Sequence, residues 1–130
     1  MHRVLLVGVL VCLAASAAKA QDPVKDAPEH YKVTFENERV RALKIHYGPH
    51  EKSAMHSHPD SVVILLTDTE TRFTMPDGKT MVSAGKAGET MWTPAGTHSS
   101  ENVSDKPFDG ILVELRGKSM AAMAAKPATK

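Results

Sequence analysis

Seven histidines stand among 130 residues, and the spacing of three of them is the first sign of chemistry. His56-Ser57-His58 is an H-x-H pair. On a strand, residues two apart face the same side and lie roughly 6.5–7 Å apart along the chain. Two imidazoles so placed can converge on one ion, at about 2.0–2.1 Å from each nitrogen. His98 follows the turn signature Pro94-Ala95-Gly96 and can supply a third nitrogen. The competing reading makes His56 and His58 loop residues beside Pro59. The single cysteine, Cys12, lies in an apolar N-terminal run. Any metal site beyond that run must therefore use His, Asp or Glu.

The other polar candidates read more plainly. His46 falls on a strand and can face inward or out to water. His50, beside Gly48-Pro49, is a loop histidine, with a fourth-ligand role as the alternative. His30 is expected in solvent. Glu101 is three residues from His98, so on a strand it faces the opposite side. Arg41 and Arg72 alternate with apolar residues. Each could reach inward to grip a carboxylate, but a solvated arginine is the default. Trp92 is expected to pack in the interior or wall a cavity. Met55, Met75, Met81 and Met91 suggest an adaptable apolar interior. No G-x-S-x-G elbow, phosphate-binding loop or dinucleotide fingerprint is present.

The elements that must position these residues are short strands. Tyr31-Lys32-Val33-Thr34-Phe35 alternates apolar and polar, as a half-buried strand does. Val40 to Tyr47 is a second run, ended by Gly48-Pro49. Val62 to Leu66 is unbroken and apolar, and predicts a strand buried on both faces. Arg72 to Met75 and Thr80 to Val82 flank Pro76-Asp77-Gly78-Lys79, a hairpin signature. Thr90 to Thr93 and Ile111 to Leu115 complete the set. Seven or eight short strands separated by turn residues predict an all-β fold, a single antiparallel β-barrel or jelly roll. There is no internal repeat.

Residues from about 30 to 115 resemble the cupin family. Its first motif is commonly written G-x5-H-x-H-x3,4-E-x6-G, and its second G-x5-P-x-G-x2-H-x3-N. Gly48 precedes His56-Ser57-His58, with seven residues between Gly48 and His56 rather than five. Gly88, Pro94-Ala95-Gly96, His98 and Asn102 follow the second motif, with one residue rather than two between Gly96 and His98. The motif glutamate falls near Val62 or Val63, and neither is a carboxylate. The resemblance therefore implies His56, His58 and His98 as metal ligands, with no carboxylate among them. The implied cofactor is one divalent transition metal, with iron as first choice and zinc, copper, nickel or manganese as alternatives. Three neutral ligands leave such an ion its full charge and open positions, which favours an anionic substrate. Three-histidine iron cupins include thiol dioxygenases, so the resemblance points to O2-dependent oxidation of a small anionic molecule. The alternative is a non-enzymatic protein that holds a small ligand or a metal in the same barrel. The resemblance also implies a homodimer.

Composition narrows the classes. Lys and Arg number 16 against 15 Asp and Glu. Residues 1–20 read as a signal peptide: a basic start, an apolar stretch, then Ala18-Lys19-Ala20 as a cleavage pattern. Removing Arg3 and Lys19 leaves 14 basic against 15 acidic residues, which argues against nucleic-acid binding. The expected protein is secreted or periplasmic, without a stable membrane anchor after cleavage, and its partner is a small-molecule ligand. Residues 21–29 read as a flexible leader, 30–116 as the barrel and 117–130 as a flexible tail.

Overall fold

The computed structural model describes residues 21–117. The signal peptide predicted at 1–20, and residues 118–130 of the predicted tail, lie outside the described residues. Nine strands follow one helical turn: α1 (Pro23–Asp26), β1 (Tyr31–Glu36), β2 (Val40–Tyr47), β3 (His56–His58), β4 (Ser61–Leu65), β5 (Thr69–Thr74), β6 (Thr80–Gly85), β7 (Thr90–Thr93), β8 (Gly96–Asn102) and β9 (Phe108–Leu115). They form two antiparallel sheets. One has the order β1-β2-β9-β4-β7, the other β3-β8-β5-β6. This is the all-β jelly-roll barrel that the spacing of short strands predicts.

β9 is the hub of the five-stranded sheet. It pairs with β2 over eight residues, from Val40↔Leu115 to Tyr47↔Phe108, and with β4 along its other edge. Period-two alternation then fixes which side chains turn inward. Leu43, Ile45 and Tyr47 of β2 meet Phe108 and Leu112 of β9, with Tyr31 and Ala27 closing the cluster. Removing each such large side chain from water stabilises the fold by about 1.5–3 kcal/mol. On the opposite sheet, the β5–β6 hairpin turns as its Asp-Gly pair predicts. Gly78 takes φ +84°, and the Asp77 carboxylate accepts from the Lys79 N–H. A positive φ there suits a residue without Cβ.

Five expectations need correction. Residues 21–29 are a packed element here, not a loose leader. Asp22 caps α1 by accepting from the Val24 N–H at 2.9 Å, and Pro23 stands in the first turn. Four residues cannot hold a helix alone, but Pro23 and Ala27 are fully buried against the barrel. His30 is buried rather than solvated, its ring stacked on Tyr47 at 3.9 Å. Trp92 is outward and 52% exposed, because its neighbour Met91 takes the inward register. The β4 run is half-buried at Val62, Val63 and Ile64, and Leu66, beyond the strand, is exposed. The methionines also divide: Met91 lines the interior, whereas Met81 lies on the outside of β6.

Candidate metal centre

Strand register brings the three histidines together. β3 pairs with β8 so that His56 stands opposite His98 and His58 opposite Gly96. Residues directly opposite share a face, as do residues two apart on one strand. All three imidazoles therefore point into one space, and Gly96 adds no side chain to crowd His58. Ring centroids are 4.8 Å apart for His56–His58, 5.1 Å for His56–His98 and 5.5 Å for His58–His98. One nitrogen from each ring lies within 4.8 Å of the others. Asp60 braces the turn that delivers His98 by accepting from the Ala95 N–H at 2.8 Å, and Ser57 and Thr97 join their hydroxyls across the strand pair.

Hydrogen bonds on the far side of two rings set their tautomers. The Ala54 carbonyl can only accept, so at 2.8 Å it takes the proton of His56 Nδ1. That leaves His56 Nε2 as a bare lone pair. This atom is buried and, among the described residues, has no hydrogen-bond partner. A buried polar atom left without a partner is costly, and a metal ion is the partner that a cluster of three imidazoles fits. His58 Nδ1 donates to Glu114 Oε1 at 2.8 Å, which likewise turns His58 Nε2 toward the centre. Burial drives the His56 imidazole down to about 4, against a smaller opposing effect of the Ala54 carbonyl. Burial, with the charge of His56 and His58, brings His98 to about 4. Neutral imidazole is the form that ligates a metal.

Glu114 is the carboxylate that motif spacing does not find. It is 2% exposed and sits behind His58, on β9. Burial opposes its ionisation, but hydrogen bonds from His58 and Arg41 outweigh that and hold it below the usual range. Arg41 Nε donates to Glu114 Oε2 at 2.7 Å, and Arg41 Nη1 to Asp22 Oδ2 at 2.9 Å. Of the two roles open to Arg41, the structure selects the inward one. The sequence signal was faint: one charged residue in the inward register of an apolar strand, two past Leu112.

The remaining candidates lie elsewhere. His46 is exposed and bonds Asp109 at 3.0 Å; His50 is exposed and bonds Asp105 at 2.7 Å. Neither joins the cluster. Glu101 pairs with Arg72 at 3.0 Å, away from the three imidazoles. His58 and His98 open onto a cavity of about 100 Å³. Its wall is apolar, with Ile45, Val63, Leu65, Phe73 and Met91, and carries hydroxyls from Thr71 and Ser100. Among the described residues no Lys, Arg, Asp or Glu lines it. Two tyrosines meet at its edge: Tyr47 donates to the Tyr31 hydroxyl at 3.1 Å. Burial pushes both phenols up, so they remain protonated donors.

Comparison with family models gives no match, and comparison with curated proteins gives none. Solved structures do match. A cupin domain from Bordetella pertussis Tohama I superposes with a TM-score of 0.62 at 27% identity, over 67% of this chain and 92% of its own. A conserved protein with a double-stranded β-helix domain from Klebsiella pneumoniae gives a TM-score of 0.54 at 23% identity, over 68% of this chain and 77% of its own. A cupin protein with a double-stranded β-helix fold from Methanocaldococcus jannaschii gives 0.53 at 16% identity, over 66% and 78%.

Proposed function

We propose that this chain, whose fold is that of the cupin superfamily, is a metal-dependent enzyme of small-molecule oxidation. His56, His58 and His98 would hold one divalent ion, with iron the first choice. The observation that carries this is His56 Nε2, a buried lone pair without a partner among the described residues, aimed at two further imidazoles. An ion held there would supply Lewis acidity and open positions for O2 and for an anionic group of the substrate.

The chain's own residues do the rest. The Ala54 carbonyl and the Glu114 carboxylate keep a proton on the outer nitrogen of His56 and His58. The apolar wall of Val63, Leu65, Phe73 and Met91 excludes water and takes the hydrocarbon part of a substrate. With no basic side chain on that wall among the described residues, a substrate's anionic group would have a bound ion as its cationic partner. Tyr31 and Ser100 offer neutral hydroxyls to orient it. The signal peptide predicted at 1–20 supports a secreted or periplasmic setting.

The test is O2 uptake by Fe(II)-loaded protein, prepared without air and offered a panel of small apolar carboxylates and thiols. The reading expects uptake with at least one compound and none from His98→Ala. Saturable binding of a panel compound with no uptake from any would replace it with a non-enzymatic binding protein.

A further inference from the structure

Glu114, Arg41 and Asp22 form one chain of charge that starts at a metal-ligand candidate and ends in the N-terminal turn. Four side chains are joined by three contacts: His58 Nδ1 to Glu114 at 2.8 Å, Glu114 to Arg41 at 2.7 Å, Arg41 to Asp22 at 2.9 Å. Exposure rises along it. The side chains of His58 and Glu114 are 3% exposed, that of Arg41 15% and that of Asp22 27%. A second contact reaches the same strand from the same segment. The Ser57 N–H, between the two β3 histidines, donates to the Gln21 carbonyl at 2.8 Å.

We propose that Glu114 is a positioning residue for His58, fixed in turn by Arg41 and Asp22, so that the segment at residues 21–22 clamps the metal-binding strand β3. The proposal rests on the metal reading above. A carboxylate that accepts from the outer nitrogen of a ligating imidazole fixes its tautomer and orientation and raises its donor strength. A lone carboxylate this deep would be strongly disfavoured as an anion. Arg41 supplies the compensating charge in a fixed fork, and Asp22 holds the other arm of that fork. The first-motif carboxylate absent at Val62 and Val63 of β4 is thus answered from the neighbouring strand β9 of the same sheet, one residue removed from where an ion would sit. Among the described residues, neither His56 nor His98 has a carboxylate partner. His56 is held by a backbone carbonyl, and the ring of His98 lies against Phe73 at 5.0 Å.

The experiment loads the full chain with Co(II) and reads both affinity, by chelator competition, and the visible ligand-field spectrum. Three variants are compared with the parent. The double variant Arg41→Met/Glu114→Gln removes both charges together, so neither is left buried and alone. Arg41→Lys keeps the charge but not the fork. Asp22→Asn touches only the partly exposed end. The proposal expects a 10- to 100-fold loss of affinity, roughly, in the double variant. It expects smaller losses in Arg41→Lys and Asp22→Asn, in that order, with a moved spectrum in each. A merely structural role would alter the thermal melt and leave the spectrum where it is. Should the double variant fail to fold, Asp22→Asn decides, because it leaves the Arg41–Glu114 pair in place. Parent-like affinity and spectrum in every folded variant would overturn the inference alone. A parent that binds no Co(II) would overturn the metal reading and this inference with it.

Discussion

The two sheets divide the labour of the centre. The four-stranded sheet carries all three imidazoles, His56 and His58 on β3 and His98 on β8. The five-stranded sheet carries what faces and fixes them: Glu114 on β9, Arg41 and Tyr47 on β2, Tyr31 on β1. Their packing differs too. Leu43 and Tyr47 of the five-stranded sheet are wholly buried, whereas Met81 and Val82 of β6 are 56% and 53% exposed. The five-stranded sheet supplies the buried apolar cluster, and the other presents the three imidazoles against it. The difference points to a histidine-bearing strand that is ordered from outside itself, since β3 has only three residues.

The comparison breaks first at the core. Leu43→Ala should cost about 2–5 kcal/mol in denaturant unfolding of the metal-free protein, as buried leucines do. A loss as small as that of an exposed β6 residue would remove the distinction between the sheets. Acid tests the ligand side. His56 and His98 stay neutral in the fold to about pH 4, while in the unfolded chain they take up protons near pH 6.5. The unfolded state therefore binds more protons in that window, and metal-free stability falls as pH drops from about 6.5 to about 4. Each of the two rings should contribute a loss on the order of 3 kcal/mol, which levels off once both states are protonated. Glu114 and Asp22, both held below their usual ranges, add a loss of the same sign as pH falls further. Urea midpoints unchanged between pH 7 and pH 4.5, with chelator present, would contradict this.

The same division explains what the sequence reveals. His56, His58 and His98 are legible because their evidence is local: an H-x-H pair, and a turn followed by a third histidine. The hairpin at Asp77-Gly78 is legible for the same reason. Glu114 and Arg41 are not, because their meaning comes from an eight-residue pairing of strands far apart in the chain, which sets Arg41 opposite Glu114. Trp92 misleads because on a short strand one step of register decides between inside and outside. The segment at 21–29 misleads because its polarity is real, yet Asp22 pairs with Arg41 and Pro23 and Ala27 are buried. The outer residues of β4 read as buried because an apolar run looks alike whether one face or both are covered.

Smaller effects sharpen the account. Tyr47→Phe removes the donor to Tyr31 and should cost about 1 kcal/mol of stability, read by thermal unfolding. An unchanged melt would mean that the two phenols do not support each other. Val82→Ala, on the exposed edge, should stay within about 0.5 kcal/mol of the parent. A larger loss would mean that β6 is covered in solution.

Metal content by elemental analysis tests the central claim most directly. The protein and its His56→Ala/His98→Ala variant are purified without an affinity tag, then reconstituted with Fe(II), Zn(II) or Cu(II) and desalted. The account predicts about one equivalent in the parent, following the single three-histidine cluster, and none in the variant. Equal metal in both, or none in the parent with any of the three ions, would contradict it.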